Sequence, residues 1–303
     1  MNFSRCYIVL FLLSLLSACE QNNIDSIDSQ ITQSQVIKAI VEPDNSITAY
    51  CSRVTGITQP YLLESGISIK IKSNKFPTDQ WFNFTKEGIY QWDCTLKPRD
   101  SFIFTYQGVL DTFSVADKIP SSIKLQSVDT STSIVPGIGK TQVFTIRFRD
   151  SAIDKNWYQL LIKRQFIKYI FPAGSNIAND SQLLTETVRI DGNELPFIRN
   201  TYNNYTDKSI LFSDEIFNGV NAKFQCHNLK PWTNSAQEKT LSVEVILENL
   251  SQPLYNYLNT EAAHLWQKQS VTQLPNPLFS NIPNGFGIVG SKTTDRKIIV
   301  YTK

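Results

Sequence analysis

A cysteine near the N-terminus has the most specific chemical setting in this sequence. Cys19 closes the segment Leu16-Ser17-Ala18-Cys19, at the end of an apolar run that begins at Tyr7 and follows the lone cation Arg5. A run of this size is typical of a signal peptide and is too short to cross a bilayer, which needs about 20 apolar residues. Small residues before the thiol suit a signal peptidase cleft, and the thiol itself can accept a diacylglyceryl group.

We therefore predict a lipoprotein signal peptide over residues 1–18 and lipidation of Cys19. A secretory signal that carries a cysteine by coincidence is the alternative. Each buried methylene adds about 0.8 kcal/mol of membrane affinity, so a triacylated cysteine would hold the mature chain firmly at a membrane. Glu20 follows Cys19, as in outer-membrane rather than inner-membrane lipoproteins. The predicted location is the outer membrane, with the periplasmic and cell-surface faces both open.

A second motif matches the dinucleotide-binding pattern G-x-G-x-x-G at Gly285, Gly287 and Gly290. That chemistry needs a strand before the glycines and a helix after them, whose N-terminus meets the pyrophosphate. Here Ile282-Pro283-Asn284 comes before, and residues 291–296 are polar and predict a turn. We therefore expect the glycines to permit a tight backbone crossing or a bulge, and we predict no nucleotide cofactor.

The remaining groups that could do acid–base or metal chemistry are sparse. His227 and His264 have no second ligand at zinc spacing, and no nucleophile motif accompanies them. Asp214 and Glu215 are adjacent, so on a strand they point to opposite faces and favour a turn or cap role. We predict no metal, no cofactor and no catalytic residue, and hence a protein that is not an enzyme.

Composition indicates folded β structure. Apolar residues make up 41% of the 303 residues and aromatic residues 12%, which is enough for substantial cores. The net charge of +2 is spread over interspersed charges of both signs, so no nucleic-acid partner is expected.

Three cysteines remain beyond the signal peptide and Cys19. Alternation places Cys51 and Cys94 on core-facing sides of their strands, which is compatible both with a disulfide across the core and with two reduced buried thiols. Cys226 shares a face with Phe224 and is expected to be an inert core thiol.

The polar stretch 19–35 predicts a flexible tether after the lipidated cysteine. Short alternating segments separated by turn residues then predict an all-β fold. Residues 36–121 should form a β-sandwich of the immunoglobulin or prealbumin kind, and residues 122–303 a second β-rich domain. One helix is expected there, with Ser251 as N-cap, Pro253 in the first turn and an end near Lys268.

Several C-terminal segments stand in an order that resembles a known family. They are 212–219, Tyr255-Asn256-Tyr257-Leu258, 276–282 and 284–290. This series is similar to the Bacteroidota lipoprotein family known as domain of unknown function 4249, and the resemblance covers nearly all of the mature chain. The segments 65–69, 88–90 and 116–120 fall where that family has sandwich strands.

The resemblance implies a two-part β-rich body on an outer-membrane lipid anchor. It also implies frequent association with energy-coupled outer-membrane transporters, and it carries no established catalytic residues. The expected function is therefore a non-catalytic accessory or ligand-capturing partner of such a transporter. The alternative is a surface adhesin or glycan-binding module. The ligand, whether a small molecule or a glycan, does not follow from the sequence.

Overall fold

A computed structural model describes residues 34–54, 62–108, 111–135, 137, 139–174, 177–191, 208–215, 217–229, 238–267 and 277–301. The predicted signal peptide, Cys19 and all but the last two residues of the predicted tether lie outside these ranges. Within them, no helix has both the length and the apolar content needed to span a bilayer.

Two β-sandwiches make up the described chain. The strands of the first are β1 (Gln35–Val41), β2 (Ser46–Arg53), β3 (Leu62–Leu63), β4 (Ser68–Ser73), β5 (Gln80–Trp81), β6 (Asn83–Lys86), β7 (Ile89–Asp93), β8 (Ser101–Gln107) and β9 (Thr112–Lys118). The later elements are β10 (Leu125–Val135), β11 (Gly139–Arg149), β12 (Trp157–Ile170), β13 (Asp180–Thr187), β14 (Ile190–Asp191), β15 (Ser209–Ser213), β16 (Asn221–Asn228), β17 (Glu238–Leu250), α1 (Gln252–Gln267) and β18 (Phe286–Val300). The predicted all-β class is confirmed.

One large sheet runs through both sandwiches, with the strand order β13-β12-β17-β18-β1-β2-β7-β6. Each half of it is covered by a four-stranded sheet: β5-β4-β8-β9 over the first half and β10-β11-β16-β14 over the second. Alternating apolar side chains from the facing sheets fill each core, as in a sandwich. Ile37 and Phe104 belong to the first core, and Phe148 and Val245 to the second.

Strand β18 joins the two sandwiches. Its first part, from Phe286 to Ser291, pairs in parallel with β1, and its later part, from Lys292 to Val300, pairs antiparallel with β17. Val289 and Ile282 accordingly lie in the first core, far in sequence from the other residues there. The predicted domain boundary between residues 121 and 122 assigns the whole C-terminal region to the second domain. It therefore misses the pairing of β18 with the first sandwich.

Helix α1 lies on the outer face of the large sheet where the sandwiches meet. Leu254 is buried against Ile288 and Leu250, with Tyr257 and Leu258 beside them. The helix ends within one residue of its predicted limit. Ser251 precedes the helix as predicted, but its hydroxyl oxygen accepts a hydrogen bond from the Ser291 N–H at 3.1 Å, so the side chain ties the helix start to β18.

The predicted turn over residues 291–296 is wrong. These residues continue β18, because each of them pairs with a backbone neighbour on β1 or β17. The segment 80–86 forms two short strands, β5 and β6. Phe82 between them points into the core, and the chain changes sheets there.

Candidate functional site

The glycine motif serves backbone packing. A Cβ built on Gly287, whose φ is +108°, would lie 1.9 Å from the Ile37 carbonyl oxygen, and one on Gly290 would lie 2.8 Å from Leu254 Cβ. The glycines therefore let β18 approach β1 and α1 at distances that no side chain permits. The motif lies at the start of a strand rather than before a helix, which confirms the prediction of a tight backbone crossing.

The two histidines lie on separate layers of the fold. His227 is on β16 in the second sandwich, and His264 is on α1. Within the described ranges, no three His, Cys, Asp or Glu side chains converge as a metal ion would require.

Cys51 and Cys94 are free, buried thiols in the structure. Cys51 lies on β2, and Cys94 directly follows the neighbouring strand β7. The Cys51 N–H donates to the Gly88 carbonyl, and the Cys94 N–H donates to the Asn45 carbonyl. Asn45 and Cys51 are six residues apart on the same chain segment, which separates the thiols by about 20 Å along the strands. A disulfide needs Cα atoms within about 7 Å, so of the two alternatives the structure has the reduced pair. Cys226 is fully buried, as predicted.

Burial raises the pKa of Cys51 to about 12 and that of Cys94 to about 11. Both groups are thiols rather than thiolates at neutral pH, and thiolate is the reactive form. They are therefore inert core side chains in the folded protein.

A buried polar cluster occupies the junction between the sandwiches. We call it the junction cluster; it consists of Ser121, Asp150, Asn156, Asp214 and Asn249. Asn156 is central: its Nδ2 lies 3.2 Å from a carboxylate oxygen of Asp150 and of Asp214, and its Oδ1 accepts from Asn249 Nδ2 at 3.0 Å. Asn249 Nδ2 also donates to the Ser121 carbonyl at 3.0 Å. The cluster thus ties the connection between the sandwiches to β17 and to two loops of the second sandwich.

The adjacent acids Asp214 and Glu215 have separate roles, as predicted. Asp214 is buried and accepts a hydrogen bond from the Asn156 backbone N–H at 2.8 Å, whereas the half-exposed Glu215 forms an ion pair with Lys155 at 3.0 Å. Asp214 therefore joins two loops of the second sandwich through its hydrogen bonds with Asn156. Sequence patterns did not single out Asn156 or Asn249, although Asn249 interrupts the apolar end of β17.

Burial raises the pKa of Asp214, and the nearby Asp150 carboxylate raises it further, against the hydrogen bonds from Asn156 that lower it. Because the pKa in the folded state exceeds the unfolded value of about 3.9, the contribution of this group to stability is full below that value. It is lost as the pH rises through the folded pKa.

We expect Asp214→Asn, which mimics the protonated acid, to flatten the pH dependence of the urea midpoint between acidic and neutral pH. The exposed Asp93→Asn should leave the wild-type profile unchanged. Identical profiles for wild type and Asp214→Asn would contradict the assignment.

An apolar surface lies at the end of the first sandwich where β1 begins. We call it the tether-end patch; it consists of Val36, Tyr50, Leu63, Ile89 and Phe286. Strand pairing brings these residues together on the outer face of the large sheet. Tyr50 is 53% exposed, Phe286 52% and Leu63 45%, which is unusual for side chains of this size in one contiguous area.

A cavity of about 440 Å³ opens within the patch, between Tyr50, Leu63 and Ile89, with Lys86 and Glu87 among its lining residues. Its volume falls within the range of about 300–1,000 Å³ typical of small-molecule sites. Apolar walls with a cation and a carboxylate among the lining side chains suit an amphipathic group rather than a bare ion.

A buried carboxylate stabilises the same end from inside the sandwich. Glu64 forms an ion pair with Arg53 at 2.5 Å and accepts hydrogen bonds from Tyr106 OH at 2.5 Å and Gln35 Nε2 at 3.2 Å. The Tyr90 hydroxyl donates to the Glu64 carbonyl oxygen at 3.3 Å. These contacts fix β3, and with it Leu63, against the strands that carry the rest of the patch.

The fold and these sites define an all-β protein of two sandwiches that share a strand, with an apolar patch where the chain enters the first sandwich. Residues 22–298 match the family model described as Domain of unknown function (DUF4249). The chain belongs to that family, which confirms this part of the resemblance. A search among curated proteins gave no match.

Proposed function

We propose that this protein is an outer-membrane lipoprotein of the Bacteroidota type, anchored through Cys19, and that it works without catalysis as an accessory or ligand-capturing partner of an energy-coupled outer-membrane transporter. The observation that carries the proposal is the segment Leu16-Ser17-Ala18-Cys19 after a short apolar run. This is the pattern of a lipoprotein signal peptide.

The described structure is compatible with this role at the point where the anchor would connect. The body begins with Gln35 in the first strand, sixteen residues after Cys19. Membership of the DUF4249 family supports the link to a transporter through the association expected for that family. Folded sandwiches with an exposed apolar patch suit a protein that binds partners at a membrane surface.

Isolation of the acylated full-length protein from detergent extracts of its own cells tests the proposal. We expect a β-barrel transporter to co-purify at a constant ratio, and to be absent when Cys19→Ala is isolated in the same way. Recovery of the acylated protein without a transporter, at a detergent concentration that preserves other membrane complexes, would contradict the accessory role.

The adhesin or glycan-binding alternative would draw support from aromatic side chains gathered on one face. The exposed Tyr50 and Phe286 of the tether-end patch share one face and fit that alternative, whereas the exposed Trp81 lies on the opposite sheet, where Lys70 Nζ lies 5.3 Å from its ring centroid. We retain the transporter role as the proposal because family membership favours it and the patch suits either role. Binding to a glycan array without transporter co-purification would favour the adhesin or glycan-binding role over the transporter role.

A further inference from the structure

We propose that the tether-end patch rests on the lipid bilayer that holds Cys19, so that the first sandwich lies against the membrane. Tyr50, Leu63 and Phe286 would enter the headgroup region, and the cavity among them would take up part of a lipid. This inference rests on the lipid anchor of the proposed function and names the surface that the anchored body presents to the membrane.

The chain enters the folded body at the same end as the patch. Sixteen residue steps separate Cys19 from Gln35, which limits their distance to about 55 Å even for a fully extended chain. Gln35 pairs with Arg53, and Arg53 pairs with Leu62, so these residues form the end row of the large sheet. The anchor therefore attaches at the end of the sandwich that carries the patch.

The apolar side chains of the patch form adjacent rows on one face of the sheet. Val36 pairs with Phe286 and with Ser52, and Ser52 pairs with Leu63, so one row of outward-facing side chains crosses four strands. Tyr50 and Ile89 form part of the next row. Large apolar and aromatic side chains on one face, with tyrosine among them, are typical of surfaces that sit at the membrane–water interface.

Two lysines beside the patch add positive charge to this face. Lys38 lies beside Tyr50 on the outer face, and Lys86 lines the cavity; both are exposed. Neither forms an ion pair with any residue that the structure describes. Lysines around an apolar patch match anionic headgroups, each contributing about a fivefold preference for a negatively charged surface. Glu87 is the carboxylate that lines the same cavity.

The other sheet of the same sandwich provides an internal comparison. Its outer face carries Lys70, Thr105 and Ser114, with a hydrogen bond of 3.0 Å between the two hydroxyl groups. The exposed Trp81 on this sheet lies beside Lys70, whose Nζ is 5.3 Å from the ring centroid. Ile103 on this face is 42% exposed, close to the 45% of Leu63. Leu63 and Ile103 are therefore a matched pair of apolar positions, one on the proposed membrane-facing side and one on the opposite side.

The test uses the full-length acylated protein with a fluorescent probe on Leu63→Cys or, as the matched control, on Ile103→Cys. The native thiols that the structure describes are buried, so the reagent labels the introduced cysteine. Each protein is reconstituted into vesicles of phosphatidylethanolamine and phosphatidylglycerol that contain lipids with a nitroxide headgroup. Ser65→Cys, which is exposed next to β3, provides a second probe position.

We expect the probe at Leu63 to be quenched at least about threefold more than the probe at Ile103, because only the first is held among the headgroups. Replacing both Lys38 and Lys86 with glutamine should weaken this difference, as should vesicles of phosphatidylcholine alone.

Equal or absent quenching at the two positions, with the protein still floating with the vesicles, would overturn the membrane contact and leave the lipid anchor intact. A second copy or a protein partner would then be the occupant of the patch. Failure of the protein to float with the vesicles would overturn the anchor and the membrane contact together.

Discussion

Gly287→Ala is expected to lower the free energy of unfolding by more than about 4 kcal/mol, or to prevent folding altogether. The added Cβ would lie 1.9 Å from the Ile37 carbonyl oxygen and 2.8 Å from its carbonyl carbon. These are backbone atoms of β1 in the residue pair Ile37–Gly287, so no side-chain rotation can relieve the contact. The strands must separate, and the sheet that links the sandwiches would break there.

The backbone conformation of Gly287 adds a separate, smaller cost. Its φ of +108° lies in the region that residues with a Cβ avoid. Gly139 has a similar φ of +95°, but a methyl group there would enter open space, since no atom lies within 4 Å of its Cβ position. Gly139→Ala therefore isolates the conformational cost, which we expect to be about 1 kcal/mol.

Urea unfolding followed by circular dichroism measures both variants. We expect Gly287→Ala to lose much more unfolding free energy than Gly139→Ala. Equal losses would mean that β18 and β1 do not approach each other as closely as described.

Asn156→Leu is expected to lower the free energy of unfolding by about 3–5 kcal/mol, because it leaves buried polar groups unpaired. The Asn156 Nδ2 lies 2.7 Å from the Asp154 carbonyl oxygen and 3.0 Å from the Ser151 carbonyl oxygen, in addition to its contacts with the two buried carboxylates. Leucine has the same branching and the same number of side-chain heavy atoms but offers no donor, so Asp150 and Asp214 would face each other with less compensation.

A matched control is available on the surface of the same sandwich. The Asn221 side chain accepts a hydrogen bond from Gln126 Nε2 at 3.1 Å, and both residues are exposed. Asn221→Leu removes one side-chain hydrogen bond that water can replace, so we expect a change of less than about 1 kcal/mol. A loss at Asn156 no greater than that at Asn221 would show that the junction cluster contributes little to stability.

Alternation along the chain predicted much of the first sandwich. Ile47, Ala49 and Cys51 occupy one face of β2 and are buried, and in β4 the buried Ile69 and Ile71 alternate with more exposed polar residues. The pattern works there because each strand has one core face and one exposed face, which sets a period of two. The helix was predictable for a similar reason, since its apolar residues follow a helical period before any breaker.

The course of the C-terminal strand could not be predicted in the same way. Residues 291–296 are polar, yet Ser291 and Thr293 are buried because they form hydrogen bonds to the connection between the sandwiches. Their partners Lys118 and Ser121 lie more than 170 positions away in sequence. A polar stretch whose hydrogen-bond partners are so distant in sequence has the same composition as a turn. The sequence alone therefore predicted a turn at residues 291–296.

The candidate sites show the same limit. Alternation placed Cys51 and Cys94 on core faces, but it could not show that they lie at opposite ends of one sheet. The tether-end patch combines residues from β1, β2, β3, β7 and β18, and only the strand order brings them together. The glycine motif was interpretable in advance, because the helix that a nucleotide site needs does not follow it.

The chemical state of Cys19, in the protein isolated from its own membranes, decides whether the chain is a lipoprotein. We expect a mature chain that starts at Cys19 and carries acyl chains, with labelled palmitate incorporated by the wild type and by Cys6→Ala but not by Cys19→Ala. A mature N-terminus at another residue, or an unmodified Cys19, would rule out the lipid anchor and the roles that depend on it.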